Sequence, residues 1–223
     1  MDDEEGVAFL EKTREWYGSG EGRDLDAVID IGGWDAPRLH HAARCGWCSA
    51  MRWLLDHGAN VEATDLVENT PLHHAADGVQ YDAAVLLLDA GARVDARDWE
   101  STTALHLAAS GGRREMCKLL VSRGASLDAR GARDGIDAED HARACNQPTT
   151  ADFLAAVRAA GGWAAYVQVP RTQLLALRRE LPALRESGRA SPSSVRLHER
   201  LFVEIPEDVF IHAFQFWRGE RDV

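Results

Sequence analysis

Thr70-Pro71-Leu72-His73-His74-Ala75-Ala76 is the stretch that decides the fold, because it does not stand alone. Thirty-three residues on, Thr103-Ala104-Leu105-His106 leads to Ala108-Ala109. Thirty-three residues back, Pro37-Arg38-Leu39-His40 leads to Ala42-Ala43, with the Leu-His pair intact. The same step links Gly58-Ala59, Gly91-Ala92 and Gly124-Ala125. Several independent features share one period, the signature of a repeat architecture.

Each copy reads as a pair of short helices. Pro71 stands at a first helical position, where its missing N–H costs nothing. The paired alanines are small enough for neighbouring first helices to approach closely. Gly46 and Gly112 punctuate the turn to a second helix. That helix presents Met51-Leu54-Leu55, Ala84-Leu87-Leu88 or Met116-Leu119-Leu120 at helical spacing. Gly58, Gly91 and Gly124 then stop it with a left-handed cap. The stretches that follow, such as Val61–Asp65, are expected to project as hairpin-like loops.

These motifs resemble the ankyrin repeat, whose signature is Thr-Pro-Leu-His-x-Ala-Ala, a second helix and Gly-Ala. The resemblance covers residues 34–161 strongly and 1–33 loosely. Asp137-Ala138-Glu139-Asp140-His141-Ala142-Arg143 forms a fourth copy displaced by one residue, with Thr149–Ala160 as its second helix. Upstream, Gly6–Tyr17 and Asp24–Ile31 read as two helices of a divergent cap, joined by a glycine-rich linker. The expected fold is all-α: an ankyrin-repeat solenoid of about four repeats, with strand content confined to loops. The domains are a cap over 1–33, repeats over 34–162 (34–64, 65–97, 98–131 and 132–162) and a helical tail over 163–223.

In the tail, Leu174, Leu177, Leu181 and Leu184 lie at helical spacing, interrupted by Pro182. Pro206-Glu207-Asp208 opens a last helix whose face is Phe210, Ala213, Phe214 and Trp217. Pro170–Leu177 resembles the start of the SOCS-box of ubiquitin-ligase adaptors, without that box's cysteine or Leu-Pro-x-Pro motif. Ile205–Phe210 resembles the opening helix of an F-box, but 18 residues follow Ile205, too few for the remainder. The tail is expected to cap the stack, and Phe210, Phe214 and Trp217 are its candidate docking residues.

Composition bounds the function. The chain has 223 residues, 45% hydrophobic, and a formal net charge of −11, which argues against phosphate-backbone binding. Residues 1–35 hold eleven acids against three bases, while 163–223 are nearly neutral. No apolar run is long enough to span a membrane, and the acidic Met1–Glu5 start lacks the pattern of a signal peptide. A cytoplasmic monomer is expected, with the nucleus as the other possible location. Cys45, Cys48, Cys117 and Cys145 are expected to be reduced.

Catalytic, cofactor and metal sites are not expected. Cys45-Gly46-Trp47-Cys48 has redox spacing but lies in an inter-helix turn, and a zinc site would need two further ligands. The resemblance assigns His40, His73 and His106 to structural hydrogen bonds within and between loops. His41 and His74, one position later, read as tolerated polar substitutions. Gly18–Gly22 follows a helix rather than a strand and lacks the Gly-Lys-Ser/Thr ending of a phosphate loop. What remains variable is the loop-tip and first-helix face, where another protein is expected to bind. Its candidate residues are Trp34, Leu66, Val67, Trp99 and Glu100 on the tips and Asn69 and Thr102 before the helices. Arg44, Asp77 and Ser110 at the helix ends, and Arg97 and Arg130 closing the loops, complete the set. Exposed aromatic and aliphatic side chains there suit an interface anchor.

Overall fold

The structure, a computed structural model, describes residues 4–18, 25–26, 28–30, 35–131 and 135–167. The chain divides into two compact units, Met1–Ala155 and Ala156–Val223. The first unit opens with α1 (Glu4–Gly18), with Glu4 and Glu5 in the turn where the helix dipole favours acids. A two-stranded antiparallel ribbon follows, β1 (Val28–Asp30) against β2 (Asp35–Pro37), in the register Val28↔Pro37 and Ile29↔Ala36. The second cap helix expected over Asp24–Ile31 is therefore not formed. Val28 and Ile29 are β-branched, and their backbone groups pair with a segment only a few residues downstream, which a helix would forbid.

Helix pairs then succeed one another: α2 (Arg38–Cys45) and α3 (Cys48–Asp56), α4 (Pro71–Asp77) and α5 (Tyr81–Asp89), α6 (Ala104–Ser110) and α7 (Arg114–Ser122). The fourth pair is α8 (Ala138–Ala144) and α9 (Pro148–Ala159), and α9 runs through the division between the units. First helices pack in series, α2 on α4, α4 on α6 and α6 on α8, while α3 packs on α5 and α5 on α7. Ala42, Ala43, Ala75, Ala76, Ala108 and Ala109 are all fully buried in the first-helix layer. With no side chain beyond Cβ, they let the backbones close up. Leu39, Leu72 and Leu105 from the first helices and Leu54, Leu87 and Leu120 from the second fill the core.

Gly58, Gly91 and Gly124 end the second helices at φ +93°, +94° and +92°, the left-handed stop read from the sequence. Helix α8 starts at Asp137, whose Oδ1 accepts from the Asp140 amide at 3.0 Å. At the other end, α1 packs on α3, with the Phe9 and Trp47 rings 5.0 Å apart. In the second unit, Ala156–Ala159 complete α9 and residues 163–167 form a further helical turn, where Trp163 stacks on Tyr166. The tail candidates Phe210, Phe214 and Trp217 lie outside the described residues, as do both adaptor-like segments and Trp34. No described helix is long and apolar enough to cross a membrane.

Candidate functional site

The hairpin tips are built by aspartates. Asp65 Oδ1 accepts from the amides of Val67 at 3.0 Å and Asn69 at 2.9 Å. Asp98 Oδ1 repeats this with Glu100 at 2.9 Å and Thr102 at 2.7 Å. A short carboxylate bonding amides two and four residues ahead closes a tight loop without help from elsewhere. The backbone ladder Asp65 N–H to Asn69 O and Asp98 N–H to Thr102 O completes each tip. Glu68 and Ser101 take up the left-handed conformation, at φ +61° and +57°.

Each tip is then fastened to its own helix and to the neighbouring repeat. Thr70 and His73 form a reciprocal cap: the Thr70 amide donates to His73 Nδ1 at 3.1 Å, and the Thr70 hydroxyl lies 2.9 Å from that nitrogen. Since Nδ1 accepts, Nε2 carries the proton and donates to the Thr102 carbonyl of the next tip at 3.1 Å. Thr103 and His106 repeat the arrangement, with His106 Nε2 reaching the Ile136 carbonyl at 3.3 Å. His40 reaches the Asn69 carbonyl at 2.9 Å. Pro37 supplies neither hydroxyl nor amide at its cap, and His40 Nδ1 is buried without a hydrogen-bond partner.

His74 is more than the tolerated substitution read from the sequence. It is buried, and its Nε2 donates to Asp65 Oδ2 at 2.8 Å, binding the tip-building carboxylate to helix α4. Its ring lies 5.4 Å from that of His40. Burial pushes His40 down to about 4, with the neighbouring His74 adding to it, and burial also lowers His73, His74 and His106. For Asp65, burial works upward, but the bonds from His74 and the Val67 and Asn69 amides hold the carboxyl below its usual range. Burial raises the Cys117 thiol to about 12, so that thiol is inert.

These anchors leave three large apolar side chains in solvent. Leu66 is 76% exposed, Trp99 58% and Val67 43%. They occupy adjacent tips, joined by a hydrogen bond from the Trp99 amide to the Val67 carbonyl at 3.3 Å. Glu100 lies beside Trp99, half-buried. Asn69 and Thr102 are half-buried and engaged as loop acceptors, which places them in the scaffold of the tips. Arg97 donates to the Arg130 carbonyl at 3.1 Å, and Arg130 to the Gly135 carbonyl at 2.8 Å, a chain along successive loops. Arg44 is exposed at the end of α2, Asp77 pairs with Arg113 at 3.8 Å, and Ser110 bonds the Leu107 carbonyl at 3.0 Å.

Sequence reading missed the aspartates, although Asp65 and Asp98 share the 33-residue step and an Asx-turn spacing that could have marked them. Among the described residues, no group of three or more His, Cys, Asp and Glu side chains is placed to hold a metal, and the four cysteines are free thiols. A family model described as ankyrin repeats, three copies, matches residues 24–98, and one described as ankyrin repeat matches residues 101–132. No curated protein matches the chain.

Proposed function

The chain is an ankyrin-repeat protein with its repeats over residues 24–132, and from that premise we propose that it is a non-enzymatic scaffold holding one protein partner on its hairpin-tip and first-helix face. Ankyrin repeats imply protein–protein interaction and are typically non-catalytic binding modules. Repeat limits of 34–64, 65–97, 98–131 and 132–162, between a cap and a tail, are part of this reading.

The observation that carries it is the placement of Leu66, Val67 and Trp99 in solvent on two tips that aspartates, histidines and inter-loop bonds hold rigid. Large apolar side chains on a preorganised frame lose little conformational entropy on binding and make effective anchors. Affinity capture of partners with the wild type and with Leu66→Ser plus Trp99→Ala tests it. The partner is expected to be lost while the melting temperature holds, because neither side chain contributes to the core. Retention of every partner by the double variant would end the reading.

The alternative role, a ubiquitin-ligase adaptor presenting an ankyrin-bound client, rests on the Pro170–Leu177 and Ile205–Phe210 segments alone. Recovery of an Elongin or Skp-type subunit by residues 163–223 separates the two readings.

A further inference from the structure

The two hairpin tips are built alike but held differently. Asp65 and Asp98 each accept from two amides of their own tip. The second oxygen of Asp65 is held by His74 Nε2 at 2.8 Å, whereas α6 carries Leu107 at the place of His74. His40 Nε2 donates to the Asn69 carbonyl at 2.9 Å, as His73 Nε2 does to the Thr102 carbonyl at 3.1 Å. Among the described residues, two histidines from two helices thus hold the Leu66–Val67 tip, and one holds the Trp99 tip.

The pair on the first tip has no place for two charges. Both rings are buried and meet edge to face at 5.4 Å. His40 Nε2 already carries the proton it gives to Asn69, so an added proton goes to Nδ1, which is buried without a hydrogen-bond partner. His73 differs, because its Nδ1 is bonded at the Thr70 cap. Burial holds both His40 and His74 below the ordinary imidazole value; His74 adds to it at His40, and His73 and Arg44 add to it at His74. Asp65 works in the other direction on both rings without outweighing burial. Helix α2 also carries Arg38 and His41, both buried. His106 of α6 is engaged with Thr103 and Ile136, and Arg52, Asp56, Asp77, Asp82 and Asp89 of α3, α4 and α5 lie in solvent.

We propose that His40 and His74 form an acid-sensitive latch on the Leu66–Val67 tip, which releases that tip on acidification while the Trp99 tip and the helices stay closed. Swung into water, both imidazoles take protons with ordinary affinity, so protons bind the open form and draw the tip toward it. The closed tip is favoured above about pH 6.5, and the preference is lost as pH falls toward the His40 value of about 4. Leu66 and Val67 then leave their preorganised positions together with Asp65 and Asn69. The consequence, a partner gripped near neutrality and let go in acid, rests on the scaffold reading above.

Hydrogen–deuterium exchange of the full chain, followed by nuclear magnetic resonance and corrected for the intrinsic rate at each pH, tests the latch. Between pH 7.5 and 5.5 the Val67 and Asn69 amides are expected to lose about tenfold in protection, and the Glu100 and Thr102 amides under about threefold. The Leu87 amide, inside α5, reports global unfolding and should lose less than that of Val67. His40→Gln keeps a donor for Asn69 without a titrating ring, and should bring the first tip's loss down to that of the second. The comparison of tips lies within one wild-type chain, so it decides even where the variant does not fold. No partner is needed either: failure of the capture experiment with Leu66→Ser and Trp99→Ala would end the scaffold reading and leave the latch standing. Equal losses at the two tips, unmoved protection at Val67 and Asn69, loss at Leu87 in step with Val67, or an undiminished response in His40→Gln would each overturn the proposal.

Discussion

His40 and His73 occupy the same place in successive repeats, and both are buried. His73 accepts from the Thr70 amide, meets the Thr70 hydroxyl and donates to the next loop. His40 keeps only the bond to the next loop, because Pro37 stands where Thr70 does. The second and third repeats therefore close their own caps, while the first leans on its neighbour. A shared signature residue does not guarantee shared energetics, since a fully satisfied buried hydrogen-bond network strengthens its members, while a buried group left unpaired, such as His40 Nδ1, costs stability.

Acid should expose this difference most strongly. The folded-state pKa values of His40, His73, His74 and His106 lie below the unfolded value near 6.5. Between the two, the unfolded chain binds more protons, so stability rises with pH through that window and is lost as pH falls from about 6.5 toward 4. His40, pushed down to about 4, contributes on the order of 3 kcal/mol of that loss. Asp65, depressed in the folded state, acts in the same direction at still lower pH, because its stabilisation is lost as the carboxylate protonates. Urea midpoints measured at pH 7.5, 6, 5 and 4 are expected to fall steadily, with a shallower slope in His40→Leu. A wild-type midpoint that does not move between pH 6 and 4 would break the comparison.

Substituting the histidines directly separates the repeats. His73→Leu strips the Thr70 cap and the Thr102 carbonyl of their partner and is expected to cost about 3 kcal/mol. His40→Leu sacrifices one bond and removes an unsatisfied buried nitrogen, and should cost under about 1 kcal/mol. Equilibrium denaturation of the two variants at pH 7.5 checks the ordering; equal losses would mean that the caps do not matter.

Restoring the missing cap is the converse experiment. Pro37→Thr offers His40 Nδ1 both a hydroxyl and an amide, and is expected to stabilise by about 1 kcal/mol. In a His40→Leu background the gain should vanish, and a double-mutant cycle of melting temperatures reads the coupling. The smallest effect belongs to the second repeat's turn, where Val79→Gly should raise stability by about 0.5–1 kcal/mol by relieving the left-handed valine.

Much of this was open to sequence reading. The helix pairs, the buried Leu39, Leu72 and Leu105, and the glycine stops at Gly58, Gly91 and Gly124 all follow from the 33-residue step. So did the candidate tips, of which Leu66, Val67 and Trp99 do stand in solvent, though their binding role is a proposal. The ribbon at Val28–Asp30 was misread as helix because a three-residue strand has no period to detect, and only its partner at Asp35–Pro37 reveals it.

The sequence by itself determined the repeat, its helices and their ends, because caps, turns and apolar periodicity act between residues a few positions apart. Only the tertiary structure decided what equivalent residues do. Nothing local distinguishes His74 from His41, yet His74 meets Asp65 across nine residues of chain and ties down a loop. His40 looks like its counterparts until the atoms around its Nδ1 are counted. Val79 reads as an ordinary residue until its φ of +61° is seen. Each of these outcomes depends on which groups the stacked repeats bring within hydrogen-bond or van der Waals reach, a distance that periodicity does not encode.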